Sequence, residues 1–229
     1  MDGLVAVNDL IKRIQKAVVT FTDFSKIFNL SANVTRPIEG DEMSIIGYEL
    51  DVLQEKHKIQ FVISAGNHEL WEVEDSLFAI LDDDESRVAA PADSMLSIVV
   101  GSVIGNAHLG CLSAVDEIAS YSRRGPGFNG YTKPDLTAYS GCIIKHGDDA
   151  VIGADTYAML LNTHGMLTPD VGTSFSTPVI AGDLAELMTI VPSNDILAAK
   201  ALLYHTARPL WDKDTGQSTG CGHVNNSKR

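Results

Sequence analysis

Two short, almost uninterrupted apolar runs, residues 59–64 (IQFVIS) and 97–104 (SIVVGSVI), constrain the fold of this chain most strongly. Runs of this length are typical of strands that are buried on both faces of a parallel sheet. Segments with apolar residues at helical spacing alternate with the predicted strands, which favours right-handed crossovers between parallel neighbours. The predicted strands are residues 26–31, 59–64, 87–90, 97–104 and 136–139, and the predicted helices are residues 10–19, 44–55, 173–190 and 195–206. This order predicts an α/β chain with a mostly parallel sheet, forming one domain over residues 1–229.

Charge and apolar content argue against several classes of partner. The chain has 17 Lys and Arg against 30 Asp and Glu, a formal net charge of −13, whereas nucleic-acid binding needs clustered basic side chains. No apolar stretch approaches the roughly 20 residues that span a bilayer, and no signal peptide is visible. We therefore expect neither a nucleic-acid nor a membrane partner, and a cytoplasmic location. The cysteines lack the short spacing of a zinc site or a disulfide framework, so free or buried thiols are expected at Cys111, Cys142 and Cys221.

The segment 172–182 (GTSFSTPVIAG) carries the strongest chemical signal. It brings Ser174 to the first turn of a predicted helix, where unpaired N–H groups and the positive dipole end favour a developing negative charge. Pro178 has no N–H to donate to the carbonyl of Ser174, so this turn should be irregular. The small residues Ala181 and Gly182 predict close packing of the helix on the sheet. An ordinary helix start with a Ser or Thr N-cap would look similar, so the motif alone does not decide between the two.

Two further segments accompany this motif. Residues 65–67 (AGN) follow the strand at 59–64, at the carboxyl end where doubly wound sheets place ligand contacts. The amide of Asn67 can donate to an oxyanion there, although Asn is also common in turns that need αL geometry. Residues 121–138 (YSRRGPGFNGYTKPDLTA) form a loop rich in Gly and Pro that leads into the last predicted strand.

Together the three segments resemble the subtilisin-like serine proteases, the subtilases, in the order typical of that family. SAGN at 64–67 is similar to the oxyanion-hole motif, SRRGP…KPD at 122–135 to the stretch before the active-site helix, and GTSFSTPVIAG to the nucleophile motif. Weaker similarity at 28–31 (FNLS) and 220–225 (GCGHVN) extends the resemblance to about residues 10–225. It implies a three-layer α/β fold with a mostly parallel sheet, truncated on its N-terminal side.

The resemblance also implies a substrate and a set of site residues. Ser174 would attack the scissile carbonyl of a peptide or protein substrate, and Asn67 would stabilise the oxyanion together with the Ser174 backbone N–H. The residues implied to line the substrate cleft are Ser31, Ala32, Ala65 and Gly66. No metal or cofactor is implied in the reaction; bound calcium is frequent in the family, but the acidic run 82–85 lacks the ligand spacing of an EF-hand loop. The chain departs from the family pattern at residues 32–33 and 68–69.

Two members of the catalytic triad have no counterpart in this sequence. A serine hydroxyl needs an adjacent base, and the base needs an orienting carboxylate. In subtilases these residues lie earlier in the chain, in an Asp-Ser/Thr-Gly turn and a His-Gly-Thr/Ser helix start, and neither motif occurs here. We expect His68 to be an exposed loop residue, and we expect no catalytic role for it or for His164.

Two explanations remain open. The chain is either a fragment of a longer protease, inactive alone, or a catalytically inactive subtilase-fold binding module. As a fragment it would either bind the missing N-terminal catalytic segment or self-associate, because sheet edges and apolar faces would be left uncovered.

Two other enzyme motifs do not fit this sequence. An α/β-hydrolase places its nucleophile at the centre of G-x-S-x-G, whereas Ser176 occupies the last position here. Residues 125–130 (GPGFNG) match the dinucleotide-binding fingerprint in letters, but they include a proline and lead into no helix.

Overall fold

The computed structural model describes residues 2–39, 41–147, 149–152, 159–210 and 218–224. Its α-helices are α1 (Asp2–Phe21), α2 (Ile45–His57), α3 (Leu77–Asp82), α4 (Thr173–Ile190) and α5 (Ile196–Thr206). Its strands are β1 (Ile27–Leu30), β2 (Gln60–Ser64), β3 (Ile98–Ile104), β4 (Leu136–Ser140), β5 (Ile143–His146), β6 (Asp149–Ile152), β7 (Met159–Leu161), β8 (Leu167–Pro169), β9 (Ala207–Arg208) and β10 (His223–Val224). All four predicted helices are confirmed, as are four of the five predicted strands. No helix within these ranges is both long and apolar enough to cross a membrane.

The central sheet has the strand order β1-β2-β3-β4-β10-β9. Neighbours from β1 to β10 run parallel, and β9 is antiparallel to β10. The register places Ile27 opposite Gln60 and Val62 opposite Ile98. The predicted mostly parallel α/β sheet is therefore confirmed. Among the described strands, β1 pairs with β2 alone, so its other edge is open.

Alternate side chains of the central strands enter two separate cores, as the period of two in a strand requires. Phe61, Ile63 and Val99 pack with α1 and α2, whereas Val62 and Val100 pack with α4 and α5. The helices contribute Ile11, Ile14, Val18, Ile46, Leu50 and Leu53 to the first core, and Ile180, Leu184, Ala199 and Leu203 to the second. Because helices cover both faces, every residue of β2 and β3 is buried. This explains their apolar sequences and confirms the three-layer arrangement.

The predicted strand at residues 87–90 is wrong. Arg87 forms only an isolated bridge to Arg124, and Ala89 forms one to Pro37. Val88 and Ala89 are fully buried, so the apolar character of this segment reflects burial among loops and not a place in the sheet. The sequence pattern cannot distinguish these two situations.

Two small hairpins, β5–β6 and β7–β8, were not predicted. All four residues of β6 are exposed, so no apolar alternation marks the first hairpin in the sequence. The second hairpin turns around Gly165, which has a φ of 74°. His164 lies in that turn and is exposed.

Cys111 and Cys142 form a disulfide, with their Cα atoms 6.2 Å apart. The expectation of thiols at these two positions is therefore wrong. The pairing arises because the loop after β3 returns beside β5, where Cys111 bridges Ile144. A separation of 31 residues along the chain gives no signal for such a contact. Cys221 is free, as predicted, and its side chain is exposed.

The approach of residues 219–222 to the loop before β4 requires a glycine at position 220. Gly220 has a φ of 61°, and a Cβ atom there would overlap the backbone carbonyl oxygen of Pro134. We expect Gly220→Ala to lower the free energy of unfolding by about 3 kcal/mol, because backbone atoms cannot move aside as a flexible side chain can. Urea unfolding followed by circular dichroism measures this loss.

Gly182→Ala is the matched control for that substitution. Gly182 is exposed on α4, and apart from the neighbouring backbone of the helix no heavy atom of the described residues lies within 4 Å of an added Cβ, so the close packing predicted for it is wrong. We expect this variant to lose no stability and to gain up to about 1 kcal/mol from the better helix propensity of alanine. Equal losses in the two variants would contradict the packing described for residues 219–222.

Candidate active site

Helix α4 presents Ser174 in its first turn, with the residue half-buried. The same turn is anchored to the sheet through Ser176, whose Oγ lies 2.8 Å from Ser102 Oγ on β3 and donates to the carbonyl of Ala138 on β4 at 3.2 Å. Thr173 and Ser176 are fully buried on either side. Two buried neighbours therefore hold the helix start in place while Ser174 stays accessible.

The predicted irregularity at Pro178 has a specific consequence. Pro178 lies inside α4 and has no N–H to donate to the carbonyl of Ser174 four residues earlier. That carbonyl accepts instead from Ser31 Oγ at 3.2 Å. The hydroxyl of Ser31, at the carboxyl end of β1, thus satisfies a carbonyl that proline leaves without its helical donor.

Asn67 caps α4 from a different loop. Its Oδ1 accepts from Thr173 N at 3.0 Å and from Thr173 Oγ1 at 3.1 Å, and Thr173 Oγ1 in turn accepts from Gly66 N at 3.3 Å. Two donors on Oδ1 determine which way the amide is turned. The NH₂ group of the exposed Asn67 side chain is therefore left to donate at the start of α4, where Nδ2 lies 3.3 Å from the position of an added Cβ on Gly172.

The four residues that the family resemblance implies to line a substrate cleft differ in how far they are buried. Ser31 is half-buried and bound to Ser174, and Ala32 is exposed. Gly66 is buried and bound to Thr173, with a φ of 99° that favours glycine. Ala65 is fully buried in the core beneath α1 and α2, so only its backbone can contribute to a cleft. Contact of these four residues with a substrate stays a prediction.

An open cleft of about 380 Å³ lies beside Asn67 and was not predicted. Its lining residues are Thr35, Asn67, His68, Glu69, Leu70, Val73, Glu85 and Arg123. They come from four separate stretches of the chain, which only the folded backbone brings together. The departure from the family pattern at residues 68–69 was the one sequence signal that pointed here.

His68 is 7% exposed, so the expectation that it is an exposed loop residue is wrong. Its Nδ1 accepts from Leu70 N at 3.3 Å, and its carbonyl accepts from the Trp71 indole N–H at 3.0 Å. Burial, together with the nearby Arg123 guanidinium, lowers the pKa of His68 from 6.5 to about 4. The ring is therefore neutral at physiological pH.

This low pKa predicts a loss of stability in weak acid. Above pH 6.5 the ring is neutral in the folded and unfolded chains, whereas between pH 6.5 and 4 only the unfolded chain binds the proton. We expect His68→Gln to reduce the loss of unfolding free energy between pH 7 and pH 5 by about 2 kcal/mol. Urea unfolding at the two pH values measures this change in the free energy of unfolding. His205→Gln, at an exposed position, is the control. Equal losses in wild type and His68→Gln would contradict the assignment.

The hydrogen bonds of the described residues place no general base at Ser174. Among the described residues, no hydrogen bond joins a histidine to the Ser174 hydroxyl. His68 lies on the cleft wall and His164 in the β7–β8 turn, and His223 lies on β10 with its Nδ1 3.3 Å from the carbonyl of Thr137. Nor does this part of the chain place three or more His, Cys, Asp or Glu side chains to hold a metal ion.

Solved structures of similar fold include two proteases and a macrocyclase. A mutant of the protease domain of PatA has a TM-score of 0.63 at 18% identity, covering 96% of this chain and 62% of that one. The epidermin leader peptide processing serine protease EpiP of Staphylococcus aureus has a TM-score of 0.61 at 16% identity, covering 94% and 53%. The PatG macrocyclase in complex with peptide has a TM-score of 0.59 at 19% identity, covering 96% and 54%. At such identities the likeness shows the fold alone.

Sequence comparison adds the family. The uncharacterized protein y4bN of Sinorhizobium fredii (strain NBRC 101917 / NGR234) is 26% identical over 211 residues, which cover 80% of this chain and 48% of that protein. The chain thus spans about half the length of this relative. The sequence profile of the subtilase family, peptidase S8, matches residues 2–224. This chain, with its three-layer sheet and its Asn67–Thr173–Ser174 arrangement, belongs to the subtilase family.

Proposed function

We propose that this chain carries the nucleophile and the oxyanion-binding groups of a serine endopeptidase. The observation that supports this most is the orientation of Asn67, whose oxygen accepts from Thr173 and whose NH₂ group is left to donate near Gly172, two residues before Ser174. A helix cap needs only an acceptor. A cap that also leaves an exposed donor next to a serine at a helix N-terminus has the parts of an oxyanion hole.

The proposed reaction is hydrolysis of a peptide bond without a cofactor. Ser174 Oγ attacks the scissile carbonyl carbon while a base takes its proton, and the carbonyl oxygen becomes an oxyanion. That oxygen accepts from Asn67 Nδ2 and from the Ser174 N–H, with the positive end of α4 adding to the stabilisation. The base then protonates the leaving amine, and water hydrolyses the acyl-enzyme. Substrates are peptides or proteins, in keeping with the peptide bound to PatG.

A segment outside these residues supplies the base and its carboxylate in this proposal. The open edge of β1 is the place where such a segment would bind, because a strand added there in parallel would end at the same side of the sheet as Ser31. Phe21 and Phe24, just before β1, are 53% and 86% exposed and extend this surface with apolar area.

Without that segment, we expect the chain to self-associate. An open parallel edge beside exposed aromatic side chains favours pairing with another copy. Light scattering across a tenfold concentration range measures the mass, and the expected result is a mass above 24.6 kDa that rises with concentration. A monomer at all concentrations that also unfolds cooperatively would contradict this expectation.

The second candidate function is a binding module that holds peptides without cutting them. The observation in its favour is the absence of a hydrogen bond between any histidine and Ser174 among the described residues. Hydrolysis of a fluorogenic peptide library distinguishes the two, measured with a longer protein that contains these 229 residues and the proposed base-bearing segment. The endopeptidase proposal expects cleavage that a fluorophosphonate inhibitor stops, whereas peptide binding without cleavage would overturn it.

A further inference from the structure

Arg123 is a cation buried beneath the loop that carries Asn67. It is 2% exposed, and it forms no salt bridge within the described ranges. Its guanidinium instead donates to four backbone carbonyls: Nε to Asn67 O at 3.0 Å, Nη1 to Glu85 O and Arg87 O at 2.7 Å each, and Nη2 to Thr35 O at 2.7 Å.

Burying a cation without a carboxylate partner is costly, so each of these bonds has to be well formed. A planar fork with five donors can reach carbonyls in several directions at once, which a lysine ammonium group cannot do in the same geometry. Arg123 thus joins three stretches of chain that are far apart in sequence, and one of them carries Asn67.

The backbone around Asn67 is held by Arg123 from two sides. Besides the bond from Nε to Asn67 O, the Arg123 backbone N–H donates to Gly66 O at 3.0 Å. A Cβ atom on Gly66 would lie 2.8 Å from Arg123 Cδ, so the side chain passes directly over the turn. The neighbouring residue Ser122 pairs with Asn67 in an isolated bridge.

We propose that Arg123 is a positioning residue for the oxyanion hole. By holding the Asn67 carbonyl it sets where the Asn67 backbone lies, and therefore where the Nδ2 donor stands relative to Ser174. The role is specific to position 123, because Arg124 beside it is half-buried and donates to Gly125 O and Asp83 O, away from Asn67. The effect on catalysis rests on the proposed function, whereas the effect on Asn67 itself does not.

The experiment uses Arg123→Lys in the longer protein, with Arg124→Lys as the matched control. Two readouts are taken: the ¹⁵N resonances of the Asn67 side-chain amide, assigned by their loss in Asn67→Asp, and the maximal rate of fluorophosphonate labelling of Ser174. We expect the amide resonances to shift or broaden in Arg123→Lys, and labelling to slow by about 10²-fold, a loss that a misplacement of about 1 Å can cause. The probe concentration for half-maximal rate should change little, and Arg124→Lys should match wild type in both readouts.

Arg123→Gln keeps the test falsifiable if the lysine variant does not fold, since it leaves no unpaired ammonium group in the interior. Unchanged Asn67 resonances and labelling in a folded Arg123 variant, with only a lower melting temperature, would overturn the proposal and leave Arg123 a purely structural residue. If wild type itself is not labelled, the proposed function fails, while the amide resonances still decide the placement of Asn67.

Discussion

Replacing Ser174 by alanine in the longer protein is expected to lower peptide hydrolysis on the order of 10⁶-fold, because no other group replaces a lost nucleophile. The substitution removes one hydroxyl from a half-buried position in the first turn of α4. The carbonyl of Ser174, which accepts from Ser31, is retained. We therefore expect the melting temperature to stay within a few degrees of wild type, so that the loss reports chemistry and not unfolding.

Thr189→Ala is the control for that variant. Thr189 is an exposed residue on the last turn of α4, and its hydroxyl donates to the carbonyl of Glu186 at 2.7 Å. Its loss should leave the rate of hydrolysis unchanged. Residual hydrolysis by Ser174→Ala within tenfold of wild type, in a preparation free of other proteases, would show that Ser174 is not the nucleophile.

Replacing Asn67 by alanine is expected to lower the turnover number by about 10²–10³-fold with little change in KM, as for the loss of one oxyanion donor. The alanine variant also loses the acceptor that holds Thr173 N and Oγ1. Part of its defect would therefore come from a loosened helix start.

Asn67→Asp separates the two contributions. The carboxylate can still accept from Thr173 N, and a negative charge is favourable at a helix N-terminus, so the cap is kept. It has no N–H to donate to an oxyanion. We expect its turnover to fall at least as far as that of Asn67→Ala while its stability stays close to wild type; near-normal turnover would show that Asn67 is a cap and not an oxyanion donor.

The central sheet could be predicted from the sequence because its strands are buried on both faces. β2 and β3 are mostly apolar for that reason, and their alternate side chains fill two cores. Residues 88–90 are also buried but lie among loops, so the same kind of pattern led to a wrong strand. An apolar run indicates that a segment is buried. It indicates a strand only where a neighbouring strand is available to pair with it.

The site was predictable in its residue types and not in its contacts. The motifs around Asn67 and Ser174 were visible in the sequence, whereas the bonds from Thr173 to Asn67 and from Ser31 to Ser174 span 106 and 143 residues. The burial of His68 and the role of Arg123 depend on where loops from distant parts of the chain meet. Local sequence patterns do not indicate such contacts between distant loops.

Labelling by a fluorophosphonate probe shows whether Ser174 is a nucleophile that depends on a base from another segment. The probe is applied to these 229 residues alone and to the longer protein, and the modified residue is identified by mass spectrometry. We expect rapid labelling of Ser174 in the longer protein and little or none in the shorter chain. In this proposal both proteins contain the nucleophile, but only the longer protein contains its base. Absence of labelling in both proteins, or equal labelling of Ser174 in both, would contradict it.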